Sequence, residues 1–291
     1  MNPVSTLSWF LKCGVAATLS LLVYAAIALM GPKAPPLPTS RDGALTILDR
    51  YLQEPVPRVL LVGSSLTARL KEEYFDTPNL EIVGLAGGSP ITGLEVTLAR
   101  DHLPKTVLIE MNVMTRGEDP SLVHEFSGGG PSTWPRPIRS AVAFWEKWLH
   151  ASPGRGRLRA RAASLLQLPP SSFDNRVYVA RALQQWDAES PEGPVRANVA
   201  KIHQLIDAME RRGSQVLLYE LPYAEQLERS RWAKLAHAIV HAEFPNQNRW
   251  LKINVSRIDL RWADGIHLDE RSAVIVSQSI DRALSSFLRP T

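Results

Sequence analysis

The sequence predicts an α/β fold, with a five-stranded parallel β-sheet, a helical insertion and one N-terminal transmembrane helix. The first observation is that short apolar runs alternate with helical patterns, which is typical of a parallel sheet covered on both faces. The second is that residues 113–194 interrupt this alternation. The third is an uncharged segment over residues 13–30. A hydrophobic content of 45%, with 21% charged residues, agrees with a globular domain and argues against a disordered chain.

The alternating elements of the sheet domain follow one another from residue 44 onwards. A short helix over 44–52 precedes the first strand. The predicted strands cover 58–62, 80–84, 106–111, 215–220 and 250–255. The predicted helices that follow the strands cover 66–75, 91–101, 195–212, 225–243 and 269–287. Five parallel strands predict a flavodoxin-like three-layer domain, in which sites form at the carboxyl ends of the strands.

The N-terminal segment has the length of a membrane span. Residues 13–30 are an uncharged run of 18 residues, which as a helix reaches about 27 Å, close to the thickness of the hydrocarbon core. A cleaved signal peptide ending at Ala26-Ile27-Ala28 is the alternative, but the run is long for a signal core. Prolines make 31–41 a stiff spacer. We therefore expect a retained anchor over 1–30, a linker over 31–41 and the α/β domain over 42–291.

Tryptophan and arginine are concentrated in the insertion at 113–194. Trp134, Trp145 and Trp148 either stack on the faces of sugar rings or pack the insertion against the domain. Seven basic residues stand against one acidic residue between 136 and 161, although the whole chain has a net charge of only +4. This patch is either a solvated helix face or a surface for anionic lipid or acidic glycan. No nucleic-acid-binding motif accompanies it, so we expect no nucleic acid partner.

A serine follows the first predicted strand. An apolar, β-branched run over 59–62 ends at Gly63, and Ser65 stands where the strand turns into a helix. Such a turn can present a nucleophile, although a serine there is also a common helix N-cap. Asp264 and His267 lie just before the last predicted helix. A serine nucleophile needs a base, and the base needs an orienting carboxylate, so these residues form a candidate catalytic set.

Four short blocks, in this order, resemble those of the SGNH (GDSL-like) hydrolase superfamily across roughly residues 56–288. The first block is Gly63-Ser64-Ser65, with Ser64 in place of the family's aspartate. The last block, Asp264-x-x-His267, is intact.

The two middle blocks match less fully. The family has a glycine after the second strand, and here Gly87 and Gly88 both qualify. After the third strand the family has Gly-x-Asn-Asp, and here Glu110-Met111-Asn112-Val113 keeps only the asparagine. The order of the blocks, and their places after predicted strands, carry the resemblance.

The resemblance implies a role for each matched residue. Ser65 would be the nucleophile, His267 its general base and Asp264 the residue that orients the imidazole. The oxyanion donors would be the Ser65 N–H, the N–H of Gly87 or Gly88, and the side-chain amide of Asn112. Neither a metal nor an organic cofactor is implied.

Membrane-anchored members of this superfamily in bacterial envelopes modify glycans, and this chain is similar to them in layout. The resemblance therefore implies a serine-dependent O-acetyltransferase or esterase that acts on an extracytoplasmic polysaccharide. Its partners would be that glycan, membrane lipid around the N-terminal helix, and a multi-spanning membrane acyltransferase. The layout of the tryptophan-rich insertion suggests Trp134, Trp145 and Trp148 as the residues that bind the glycan acceptor. Its location would be the bacterial inner membrane, as a single-pass protein with the catalytic domain on the periplasmic side.

Other functions remain open at this point. Transfer and hydrolysis share an acyl-enzyme and differ only in whether sugar or water accepts the acyl group. The departures at Ser64 and Val113 would suit a non-catalytic glycan-binding or assembly subunit with a degenerate site. A general lipase or thioesterase would use the same catalytic residues.

Two further features are noted without a catalytic role. His237 and His241 are four residues apart on a predicted helix, which suits a metal, but no His-Glu-x-x-His pattern surrounds them. The sequence therefore predicts a surface pair. Glu110, at the end of the third predicted strand, is expected to be a buried carboxylate with a satisfied partner.

Overall fold

The structure is a computed structural model, and it describes residues 3–30, 40–128 and 152–288. The described strands are β1 (Val59–Gly63), β2 (Leu80–Gly84), β3 (Thr106–Glu110) and β4 (Gln215–Tyr219). The described helices are α1 (Pro3–Met30), α2 (Ser40–Gln53), α3 (Pro90–Leu98), α4 (Pro120–Ser127), α5 (Ser152–Gln167), α6 (Arg176–Ala188), α7 (Glu192–Arg211), α8 (Glu225–Glu228), α9 (Arg231–Glu243) and α10 (Glu270–Leu288). Short 3₁₀ turns occur at Thr67–Arg69, Glu72–Tyr74, Gln247–Arg249 and Arg257–Asp259.

The four described strands form one parallel sheet in the order β2-β1-β3-β4. Every residue of β1, β2 and β3 is buried, which means that both faces of the sheet are covered. Helices α3, α7 and α9 pack side by side, with α3 against β1 and α7 against β4. The α/β class predicted from the alternating pattern is therefore present, and β1 is a central strand.

The predicted fifth strand is wrong, because the described part of the chain contains four strands in the sheet. Residues 250–255 alternate between apolar and polar, as a half-buried strand would, but only Trp250 bridges β4. The Leu251 N–H donates to the Leu218 carbonyl at 2.8 Å, and the ladder ends there. The Asn254 carbonyl accepts from the Ser279 hydroxyl of α10 at 3.1 Å. Because Trp250 lies opposite Leu218 and β4 ends one residue later at Tyr219, residues 252–255 have no strand beside them to pair with.

The predicted transmembrane helix is also corrected. A membrane span requires about 20 consecutive, mostly apolar residues. The segment does form a helix, α1, but among the residues that the structure describes no helix is long and apolar enough to cross a bilayer. The predicted location, a single-pass protein of the bacterial inner membrane with a periplasmic catalytic domain, is corrected by the same finding. The prolines of the predicted spacer lie outside the described residues.

The described parts of the stretch at 113–194 are largely helical, and they pack on the sheet domain. Helix α5 lies against α10 and against the 3₁₀ turn at Glu72–Tyr74. From α5, Arg159 donates to the Phe75 carbonyl at 2.8 Å, and Arg161 lies 3.4 Å from Glu270. These two arginines therefore hold the helix against the domain.

Helix α6 is attached to the domain by aromatic contacts of a buried tryptophan. Trp186 stacks on Trp232 of α9, with ring centroids 4.4 Å apart, and meets Tyr223 edge-on at 5.3 Å. Its role is packing. The three tryptophans predicted to bind an acceptor, Trp134, Trp145 and Trp148, lie outside the described residues.

Candidate active site

The turn after β1 requires glycine at its start. A Cβ atom at Gly63 would overlap the Thr67 hydroxyl and the Glu110 carboxylate. The chain then turns at Ser64 and Ser65, and the Ala68 N–H donates to the Ser64 carbonyl at 3.1 Å. The helix predicted over 66–75 is instead a pair of three-residue 3₁₀ turns. Ser65 therefore lies on a tight turn at the carboxyl edge of the sheet and not at the start of an α-helix.

Ser65, His267 and Asp264 form a continuous hydrogen-bonded series. The Ser65 Oγ lies 2.8 Å from His267 Nε2, and His267 Nδ1 lies 2.7 Å from Asp264 Oδ2. The serine and the histidine are 202 positions apart in the chain, so the fold alone brings them together. The His267 side chain is 21% exposed, which leaves the site open to a ligand.

Asp264 is held by the backbone of its own loop. Its Oδ1 accepts from the N–H of Ile266 at 3.0 Å and from the N–H of His267 at 2.7 Å, which leaves Oδ2 for the imidazole. Gly265 has φ of 89°, and a Cβ there would press on Val179. Burial alone would raise the pKa of Asp264, but these hydrogen bonds outweigh it and lower the pKa to about 2. The carboxylate is therefore ionised at neutral pH.

Glu110 organises the turn that carries Ser65, a role that sequence reasoning did not assign. It accepts hydrogen bonds from Ser64 N–H at 2.8 Å, Ser64 Oγ at 2.8 Å, Thr67 Oγ1 at 2.6 Å and Thr67 N–H at 3.2 Å. Because Thr67 Oγ1 donates to Glu110, it accepts from the Tyr219 hydroxyl at 2.6 Å. Burial raises the pKa of Glu110, and the four donors only partly offset this effect. The sequence clue was an acidic residue closing an otherwise apolar, buried strand.

The two glycines predicted as oxyanion donors follow β2, a direct neighbour of β1. The Gly88 N–H closes a turn by donating to the Leu85 carbonyl at 2.9 Å. Gly87 has φ of 76°, a conformation that favours glycine, and it is the better candidate because the Gly88 donor is already used. Both glycines line a cavity of about 500 Å³, together with Thr92 and Arg116. A ligand could occupy this space beside the predicted donor.

Asn112 follows β3, which is the other neighbour of β1. Its amide nitrogen donates to the Leu221 carbonyl at 2.8 Å, and its oxygen accepts from the Leu221 N–H at 2.7 Å. This reciprocal pair fixes the amide group and uses one of its two N–H donors. Within the part of the chain that the structure describes, the second N–H has no hydrogen-bond acceptor. The loops after β2 and β3 thus flank the Ser65 turn on either side.

No protein-family model matches this chain, and no curated protein matches it either. A function for the protein therefore has to come from the chemistry of the described site.

Proposed function

We propose that the protein is a serine-dependent acyl-ester enzyme. The observation that carries the proposal is the series Ser65–His267–Asp264, with donor–acceptor distances of 2.8 and 2.7 Å. These distances lie within the range expected for a nucleophile, its base and the residue that orients the base. A non-catalytic site does not require this alignment of the three side chains, so the geometry favours the enzyme over the binding subunit.

In the proposed mechanism, His267 starts with its proton on Nδ1. Asp264 is ionised and accepts from Nδ1–H of His267, so Nε2 carries the free lone pair and accepts from the Ser65 hydroxyl. Nε2 takes the hydroxyl proton as Oγ attacks the ester carbonyl. The same proton then passes to the departing alkoxide, which leaves an acyl group on Oγ.

The second half of the reaction reverses these transfers. An acceptor hydroxyl, from a sugar or from water, gives its proton to Nε2 and attacks the acyl carbon. The bond to Oγ breaks, and the proton returns to Ser65. In both halves the carbonyl oxygen becomes negatively charged, and the N–H groups of Ser65 and Gly87 and the free N–H of Asn112 are the proposed donors to it.

The proposed substrate class rests on the resemblance to the SGNH superfamily. The acyl group that its members transfer or remove is usually small, so we propose O-acetyl transfer to, or removal from, a polysaccharide. The order of the matched blocks supports this proposal. The general lipase or thioesterase remains the second candidate, which assays with esters of increasing chain length will separate from an acetyl-specific enzyme.

A fluorophosphonate probe tests the proposal, because it reacts with an activated serine. The wild-type protein should be labelled and Ser65→Ala should not, while both show the same circular dichroism spectrum. Ser164→Ala, on the exposed face of α5, is the matched control and should be labelled like the wild type. If Ser65→Ala is labelled as strongly as the wild type, Ser65 is not the nucleophile.

A further inference from the structure

A second group of chemically capable side chains lies at the carboxyl end of β4. Glu220 directly follows this strand, and His237 and His241 stand one turn apart on α9. His237 Nδ1 lies 3.0 Å from Glu220 Oε2, and His241 Nε2 lies 3.1 Å from the same oxygen. The ligand atoms of all three residues lie within 4.8 Å of one another. The acidic partner that was missing around the histidine pair in the sequence is thus supplied by the sheet.

We propose that Glu220, His237 and His241 bind a divalent transition metal of the Zn²⁺ type. Two imidazoles and one carboxylate are a known ligand set for open zinc sites, which keep a fourth position for water or a ligand. In a tetrahedral site with metal–ligand bonds of about 2.0–2.1 Å, the ligand atoms are about 3.3 Å apart. The separations from the Glu220 oxygen to the two nitrogens, 3.0 and 3.1 Å, need to lengthen only slightly.

The surroundings of the cluster fix two of its three ligands. The His241 ring stacks on Trp250, with centroids 4.1 Å apart and planes 14° from parallel. Trp250 is itself buried and bridges β4 at Leu218, so it does not move independently of the sheet. Glu220 begins the loop whose next residue, Leu221, is held by Asn112. Such outer contacts orient metal ligands before a metal arrives.

The cluster also borders a partly open cavity. Glu220 and His237 line a cavity of about 260 Å³, together with Met111, Asn112 and Tyr223. A metal held by the three side chains would sit at the wall of this cavity, where its fourth position can take water or an oxygen group of a ligand. This inference does not depend on the proposed acyl chemistry at Ser65.

Metal binding is tested on the full chain without a polyhistidine tag, stripped with EDTA and then dialysed. Calorimetric titration with Zn²⁺ should give one equivalent bound, and Co²⁺ should give the intense visible absorption of a four-coordinate ion. Saturating Zn²⁺, at about 100 times Kd, should raise Tm by about 5 °C.

Variants identify the ligands. Glu220→Gln, His237→Gln and His241→Gln should each weaken binding at least about tenfold and so cut the Zn²⁺-dependent rise in Tm to about half or less. His203→Gln is the matched control, because His203 contacts the Glu243 carbonyl and Phe244 outside the cluster. His237→Gln is the most informative variant, since this side chain is 58% exposed and its loss is compatible with folding. A wild-type chain that binds no Zn²⁺ at micromolar concentration, or a folded His237→Gln that binds like the wild type, would overturn the proposal.

Discussion

Replacement of Glu110 by alanine should remove the hydrogen bonds that hold the Ser65 turn, while Ser65 itself is unchanged. The carboxylate accepts from the backbone N–H groups of Ser64 and Thr67 and from both of their hydroxyls. Alanine supplies no acceptor, and the site is fully buried, so water does not replace it freely. Each of the two orphaned backbone donors costs about 1–3 kcal/mol. We therefore expect a loss of about 2–6 kcal/mol in the free energy of unfolding.

Glutamine at the same position gives a much milder result. Oε2 of Glu110 receives the two backbone donors and Thr67 Oγ1, whereas Oε1 receives only Ser64 Oγ at 2.8 Å. A glutamine oxygen placed at Oε2 keeps three of these bonds, and the Ser64 hydroxyl can rotate to accept from the glutamine amide. Glu110→Gln should therefore lose only about 1 kcal/mol.

The rate at which the fluorophosphonate probe labels the protein should depend on how accurately the turn positions Ser65. A displacement of about 1 Å at Ser65 lowers the rate roughly 10²-fold, so folded Glu110→Ala should react about that much more slowly with the fluorophosphonate probe. Glu110→Gln should recover most of this rate. Urea unfolding measures the stability, and the labelling rate of the folded fraction measures the positioning. A Glu110→Ala protein within about 1 kcal/mol of the wild type, with an unchanged labelling rate, would refute the reasoning.

Two further changes test the electrostatics of the fold. In Asp264→Asn, the amide oxygen should still accept from the N–H groups of Ile266 and His267, so the NH₂ group faces Nδ1 of the imidazole. The imidazole must then carry its proton on Nε2, and ester turnover should fall about 10⁴-fold. A loss below tenfold would contradict this. Burial raises the pKa of Glu81 from its ordinary 4.5 to about 8, with Arg50 at 3.9 Å offsetting only part of the effect. Because the folded protein then binds this proton more tightly than the unfolded chain, the contribution of Glu81 to stability should be largest below pH 4.5 and fall as pH rises to 8. Glu81→Gln should flatten this part of the Tm profile, and an equally steep profile would remove Glu81 as its cause.

The sequence predicts the parts of the fold that depend on local pattern. The apolar runs that became β1 to β4 have the length and composition of buried strands. Once these strands are parallel, the residues after them share one edge of the sheet, which is why Ser65 and Asn112 could be placed together. Asp264 and His267 could be paired because they lie three residues apart on one loop.

Other features depend on contacts that no local pattern records. The alternation over 250–255 suits a strand, but β4 ends at Tyr219 and leaves residues 252–255 without a strand to pair with. Glu110 looks like one more buried residue until the turn at Thr67 brings four donors to its carboxylate. Glu220 is 17 residues from His237, so its place beside the histidine pair follows from the packing of α9 on the sheet.

The separation of 202 residues between Ser65 and His267 also determines when the site can exist during folding. The hydrogen bonds from Ser64 and Thr67 to Glu110 lie within residues 59–110, and so they can form before β4 and Tyr219 are made. The histidine arrives only after a long-range loop closure, whose entropic cost makes such contacts slow to form. A nascent chain therefore carries an unactivated hydroxyl until the segment before α10 has docked. Under the proposed function, the order of chain growth would therefore delay activation of Ser65 until the sheet is built.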